Sequence, residues 1–226
     1  MLKKLIAALG IGIASNSMAA PHFAPYTVES SNIIYNLLFC DDFAAFKPAD
    51  GKQLALWQQT LFSEPANISS LEALSSDQSA EGRVRYLAFS KLRTLNKKVQ
   101  SKKLLGVIIE VPLSGGLDTL AAYSEGGVRY INHTGKLAVI EGVSDFQPLV
   151  QKLFEASIPV VNQIGPWDKS RLSPPKQGNV RLTFLVSDGL YFGEGPMNVM
   201  QNEAMAGPVI QQAAVLLQAV VKATVK

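Results

Sequence analysis

The chain predicts an α+β fold: an N-terminal helical region, then an antiparallel, meander-type sheet flanked by helices. Three observations point to it. Up to about Asn96, apolar residues recur at helical spacing. From Leu104 to Glu141, short aliphatic and β-branched runs alternate with two- or three-residue glycine turns. Beyond that, two long amphipathic patterns bracket a further pair of strands. Helices first and strands afterwards is the order of an α+β chain.

The 226 residues are 47% hydrophobic and 17% charged, which is globular composition with material for a sizeable core. One domain is expected over 20–226, with a helical region at 20–96 and a sheet-and-helix core at 104–226. The first 19 residues read as a secretory signal peptide. Met1-Leu2-Lys3-Lys4 is a positive start, Leu5 to Ala14 an apolar stretch, and Ser15 to Ala20 a small, mostly polar tail. The apolar stretch is shorter than the roughly 20 residues that span a bilayer. Cleavage after Ala19 puts Ser17 and Ala19 at the small-residue positions, so a bacterial periplasmic or secreted location is expected. Lys3 and Lys4 leave with the leader. The remainder then holds 19 basic against 18 acidic residues, a net of +1.

Pro21 to Ser31 is polar and proline-punctuated and reads as an extended lead-in. Asn32 to Phe46 reads as a helix, although Asp41 and Asp42 near its end oppose the helix dipole. Pro48-Ala49-Asp50-Gly51 is a turn signal. Leu54 to Phe62 is helical by its Leu54, Trp57 and Leu61 spacing, and Pro65 stops it. Ser69 and Glu72 fit a capping box for the next helix. Gly82 to Asn96 is the clearest amphipathic helix, with Val84, Leu87, Ala88, Leu92 and Leu95 on one face.

Leu104 to Leu113 reads as a buried strand. Leu117 to Ser124, Val128 to His133 and Leu137 to Glu141 follow as strands two to four, joined by glycine turns too short for parallel crossovers. Asp145 to Ala156 reads as a helix capped by Ser144. Ile158 to Ile164 is a short β-branched stretch. Gly165 to Gly178 is the longest irregular segment. Val180 to Val186 and Leu190 to Phe192 form a hairpin about Asp188-Gly189. Pro208 to Val225 is a last helix, nearly apolar all round, with Gln211, Gln218 and Lys222 as a narrow polar stripe. Its glutamines, with Gly207 and Pro208, argue against a membrane span in the mature chain. The order of elements resembles profilin-like and roadblock-like layouts. That likeness concerns the layout alone and implies no function.

Most specialised chemistry finds no support in the residues. Two histidines and one cysteine do not make a zinc site, and Asp41 with Asp42 lacks the alternating ligands of a calcium loop. Gly189, Gly193 and Gly195 fit neither the dinucleotide nor the Walker spacing. No cofactor and no metal are therefore expected. The only dense basic cluster, Lys97, Lys98, Lys102 and Lys103, reads as a solvated linker, so no nucleic-acid partner is expected. Cys40, in an apolar run, reads as a small buried hydrophobe.

Two sets of residues carry functional expectations. Trp167, Asp168 and Arg171 place an aromatic beside opposite charges in a long, proline-stiffened loop. Such a segment can stack on a ligand and pair an anion. His133, at the end of a strand, is placed for proton transfer, with Asp118 or Glu141 on neighbouring strands to orient it and Ser114 or Ser124 as nucleophile. The first set implies a non-catalytic exported domain that binds a small molecule or a protein partner. The second implies a small periplasmic hydrolase or transferase. A purely structural subunit would instead expose a large apolar patch.

N-terminal sequencing of the protein from its native host is expected to begin at Ala20. An intact Met1 would contradict the leader.

Overall fold

The computed structural model describes residues 22–48, 52–142 and 144–224. The leader, its cleavage site and the centre of the Pro48-Ala49-Asp50-Gly51 turn lie outside the described residues. Six strands form one antiparallel sheet in the order β4-β3-β2-β1-β5-β6. They are β1 (Leu104–Leu113), β2 (Gly116–Tyr123), β3 (Val128–Ile131), β4 (Leu137–Ile140), β5 (Asn179–Val186) and β6 (Gly189–Pro196). The first four are the expected meander. Gly115 and Gly126 turn its first two hairpins at positive φ, 90° and 98°, a region open to glycine at little steric cost. The β5–β6 hairpin joins the other edge of β1, at the Glu110↔Arg181 register, and makes β1 central.

Helices cover both faces. On one lie α1 (Glu29–Leu38), α2 (Leu56–Phe62), α3 (Ile68–Ser76) and α4 (Gly82–Thr94). Their core includes Tyr35, Phe39, Leu87, Ile108, Ala121 and Leu185. On the other lie α5 (Gln147–Gln163), the single turn α6 (Met197–Met200) and α7 (Ala206–Thr224). That core includes Val107, Leu120, Leu153, Phe184, Val209 and Leu216. A strand buried on both faces carries apolar residues at successive positions, which is why β1 reads as an unbroken aliphatic run. Its register slips between Leu104 and Gly106, so Leu105 is an extra residue and faces α4 rather than α5.

Two helices differ from their expected spans. α1 begins at Glu29 and ends at Leu38, because Cys40 takes a positive φ of 53° and reverses the chain. Asp41 and Asp42 are thus outside the helix, and Asp42 accepts from Ala44 N–H at 3.0 Å in the following turn. α5 runs on through the β-branched stretch to Gln163. Its buried stripe of Val150, Leu153, Ser157, Val160 and Val161 keeps helical spacing, so tertiary burial overrides the strand propensity of Ile158 to Ile164. Pro159 forgoes one backbone bond within it. The cap of α3 is Asn67, whose side chain accepts from Ser70 N–H, rather than Ser69. No helix among the described residues is long and apolar enough to cross a membrane.

Leu216→Ala should cost about 2–5 kcal/mol of unfolding free energy in urea titrations, because a fully buried side chain leaves a cavity between α7 and the sheet.

Candidate functional site

Strand alternation sends Asp118 and Leu120 of β2 and Tyr130 of β3 to the α7 side of the sheet. There the Tyr130 hydroxyl donates to Asp118 Oδ2 at 2.9 Å. The backbone N–H of His133 donates to Asp118 Oδ1 at 2.7 Å, and its Nδ1 lies 3.6 Å from the same oxygen. Gly116 holds this corner closed, since a Cβ on it would stand 2.0 Å from the His133 carbonyl oxygen. Burial, then the bond to Asp118, raises the Tyr130 phenol far above its ordinary range, so it stays a donor.

Asp118 and Tyr130 are among the residues lining a cavity of about 130 Å³ between the sheet and α7. Ile109 and Val111 of β1 with Leu120 form its floor, and Ile210, Ala214 and Leu217 of α7 form its wall. Met197 of α6 also lines it. At the ~30 Å³ that a water occupies in the liquid, the space is worth about four waters. α7 thus presents two adjacent apolar stripes. Val209, Leu216 and Val220 are buried in the core, Ile210, Ala214 and Leu217 face the cavity, and the buried Ala213 also lines it.

The sequence-expected residues separate into different places. His133 and Asp118 come together. Glu141 does not join them; it ion-pairs with Arg129, which also meets Glu81 at 3.4 Å. Ser124 Oγ bonds Arg85 at 3.2 Å, and Ser114 is exposed in the β1–β2 turn. Asp168 is exposed. The Trp167 ring packs edge-on against Phe192 with centroids 4.8 Å apart, and its indole N–H donates to Ser170 O at 3.0 Å. The cleft beside it has only about 10 Å³, about one water.

Arg171 turns inward. It bonds Asp41 at 2.8 Å and Asn36 at 2.9 Å, and stacks 4.0 Å above the Phe39 ring. Next to it lies a buried polar cluster. Glu110, with no exposed surface, accepts from the Tyr35 hydroxyl at 2.6 Å and lies 3.7 Å from Arg181. Arg181 in turn grips Glu194 through Nε at 2.9 Å and Nη2 at 2.6 Å, and caps the Leu172 and Ser173 carbonyls of the long loop. Desolvation raises the Glu110 carboxyl above its ordinary value, against the pull of Tyr35 and both arginines. Burial likewise pushes Glu194 up, but its bonds from Asn179 and Arg181 outweigh that and leave it low. The Cys40 thiol is buried, and desolvation raises its pKa, which disfavours the reactive thiolate. No group of three or more metal-ligating side chains occurs among the described residues.

Sequence reasoning missed Tyr130, the cavity stripe of α7 and the Glu110 cluster. Each left a trace. Glu110 and Arg181 are single charges inside otherwise apolar strands, and α7 is apolar over more of its circumference than one core contact needs.

A raised native pKa makes Glu110 a source of stability below its ordinary value of 4.5 that is lost as pH rises through the native value. Glu110→Gln keeps an acceptor for Tyr35 without that charge. Its stability relative to the parent, read from urea midpoints, should therefore increase as pH climbs from the acid range toward neutrality. A pH-independent difference would contradict a strained Glu110.

Comparisons with protein-family models, with curated proteins and with solved structures returned no match.

Proposed function

We propose that this is a non-catalytic exported domain that holds a small, largely apolar ligand in the cavity between α7 and the β1–β3 face. One observation carries the proposal: a cavity of about 130 Å³ whose described lining residues are apolar except for Asp118 and Tyr130. Pockets that bind small molecules combine an apolar wall with a few placed polar groups that fix orientation. The expected leader at 1–19 supports export, and periplasmic or secreted location belongs to the same proposal. The Trp167 loop supports the domain from the far side of the sheet, roofing the Glu110–Arg181 cluster.

The 3.6 Å approach of His133 to Asp118 favours a second reading, a small hydrolase or transferase with that pair as its proton-transfer group. Binding without chemistry is preferred because neither Ser114 nor Ser124 is bonded to the imidazole among the described hydrogen bonds.

Benzyl alcohol titrated into ¹⁵N-labelled protein should shift the amide signals of β1, β2 and α7. Leu217→Trp, which fills the cavity, should abolish those shifts while leaving the circular dichroism unchanged. Shifts that persist in the variant would place binding elsewhere. His133→Ala should leave them intact; if the parent hydrolyses a p-nitrophenyl ester and His133→Ala does not, the second reading prevails.

A further inference from the structure

We propose that two copies of this chain pair through the outer face of α7, helix against antiparallel helix, about a two-fold axis. The pairing does not depend on a ligand in the cavity. A surface helix ordinarily turns a charged face to water. α7 does not, since no charged residue occurs from Ala204 to Val221. Gln211, Ala214 and Gln218 are nonetheless exposed, and Val215 and Val221 each keep 42% of their surface open. Charge returns only at the two ends, as Glu203 and Lys222. Neither makes an ion pair among the described residues. Glu203 starts the helix: its carbonyl accepts from Gly207 N–H at 2.9 Å, and its Oε2 accepts from Ala206 and Met205 N–H, both at 2.8 Å. Those two backbone bonds hold the carboxyl below its ordinary pKa, so it stays charged, and they leave Oε1 for another partner.

This face complements itself, which is what commits it to a second copy. Gly207, Gln211, Ala214 and Gln218 follow one another at four- and three-residue steps, the spacing of a helix–helix seam. In an antiparallel pair whose axis is level with the midpoint between Gln212 and Ala213, each position meets one fixed position of the copy. Gln218 then meets Gly207, Gln211 meets Ala214, and Lys222 meets Glu203. A single register thus sets each long amide over a small residue and each cation beside an anion. No described hydrogen bond uses the side chain of Gln211 or Gln218, and a carboxamide both donates and accepts. The partly positive start of each helix also lies beside the partly negative end of the other. A parallel pair would instead set Glu203 against Glu203 and Lys222 against Lys222.

Sedimentation velocity of the mature chain over a concentration series tests the pairing. One helix pair is a small interface, so a reversible dimer is expected, its fraction rising with concentration. Gln211→Glu keeps the size of the side chain on an exposed position but brings two carboxylates together near the axis. It should weaken the dimer roughly tenfold or more, and less in high salt. Cysteine variants read the register. Ala204 and Val221 meet across the axis, whereas each stands about 26 Å along the helix from its own copy, at ~1.5 Å per residue. A mixture of Ala204→Cys and Val221→Cys chains should therefore form a disulfide-linked dimer on mild oxidation, and either variant alone should not. Cys40 is buried and does not compete. A chain that stays monomeric up to ~1 mM would overturn the proposal. So would a dimer that Gln211→Glu leaves unchanged, or one that Ala204→Cys crosslinks by itself, which requires parallel helices.

Discussion

Glu110 and Arg181 face one another across the β1–β5 pair, and the covering of a whole sheet face depends on how they are satisfied. The central strand must be apolar on both sides to lie between two helical layers, yet it carries one carboxylate with no exposed surface. Burying a lone charge is costly unless it is paired and hydrogen-bonded. Tyr35 reaches it from α1, and Arg181 from the neighbouring strand. Arg181 then recruits Glu194 from β6 and two carbonyls from the 165–178 loop. One buried acid thus ties α1, the two central strands, the edge hairpin and the long loop into a single arrangement. Removing one partner of such a buried pair strands the other charge, at a cost of about 3–5 kcal/mol.

Among the described residues the opposite face has no such cluster, and its apolar surface exceeds what the core consumes. α7 buries one stripe and leaves the next facing a space beside β1–β3. A close-packed protein interior seldom leaves room of that size unfilled. Among the described lining residues the polar ones are Asp118 and Tyr130, which meet His133 because β2 and β3 are adjacent and because Gly116 admits the His133 backbone. The two faces therefore divide the work. One fixes the architecture, and the other offers a largely apolar cavity.

Much of this architecture is legible in the residues, for identifiable reasons. Glycine turns announce the meander, since Gly115 and Gly126 need positive φ. β1 declares its central position by being aliphatic at successive positions. Ile158 to Ile164 misleads, because β-branched residues read as strand until the buried stripe of α5 is known. The site is legible only in part. His133 and Asp118 are expected together and are found together, whereas Arg171, read as the partner of a bound anion, is buried on Asp41 and Phe39. That burial depends on residues 130 positions apart in the chain, which no local pattern reports. Tyr130 and Ile210 likewise acquire meaning only when the sheet and α7 meet.

Native mass spectrometry of the mature chain recovered from its own host's envelope tests the central claim, that this domain carries a small ligand. The account predicts a discrete extra mass that dissociates under activation as one small, largely apolar molecule. A bare chain mass, whether as monomer or multimer, would contradict it and turn the α7 face into a contact for protein.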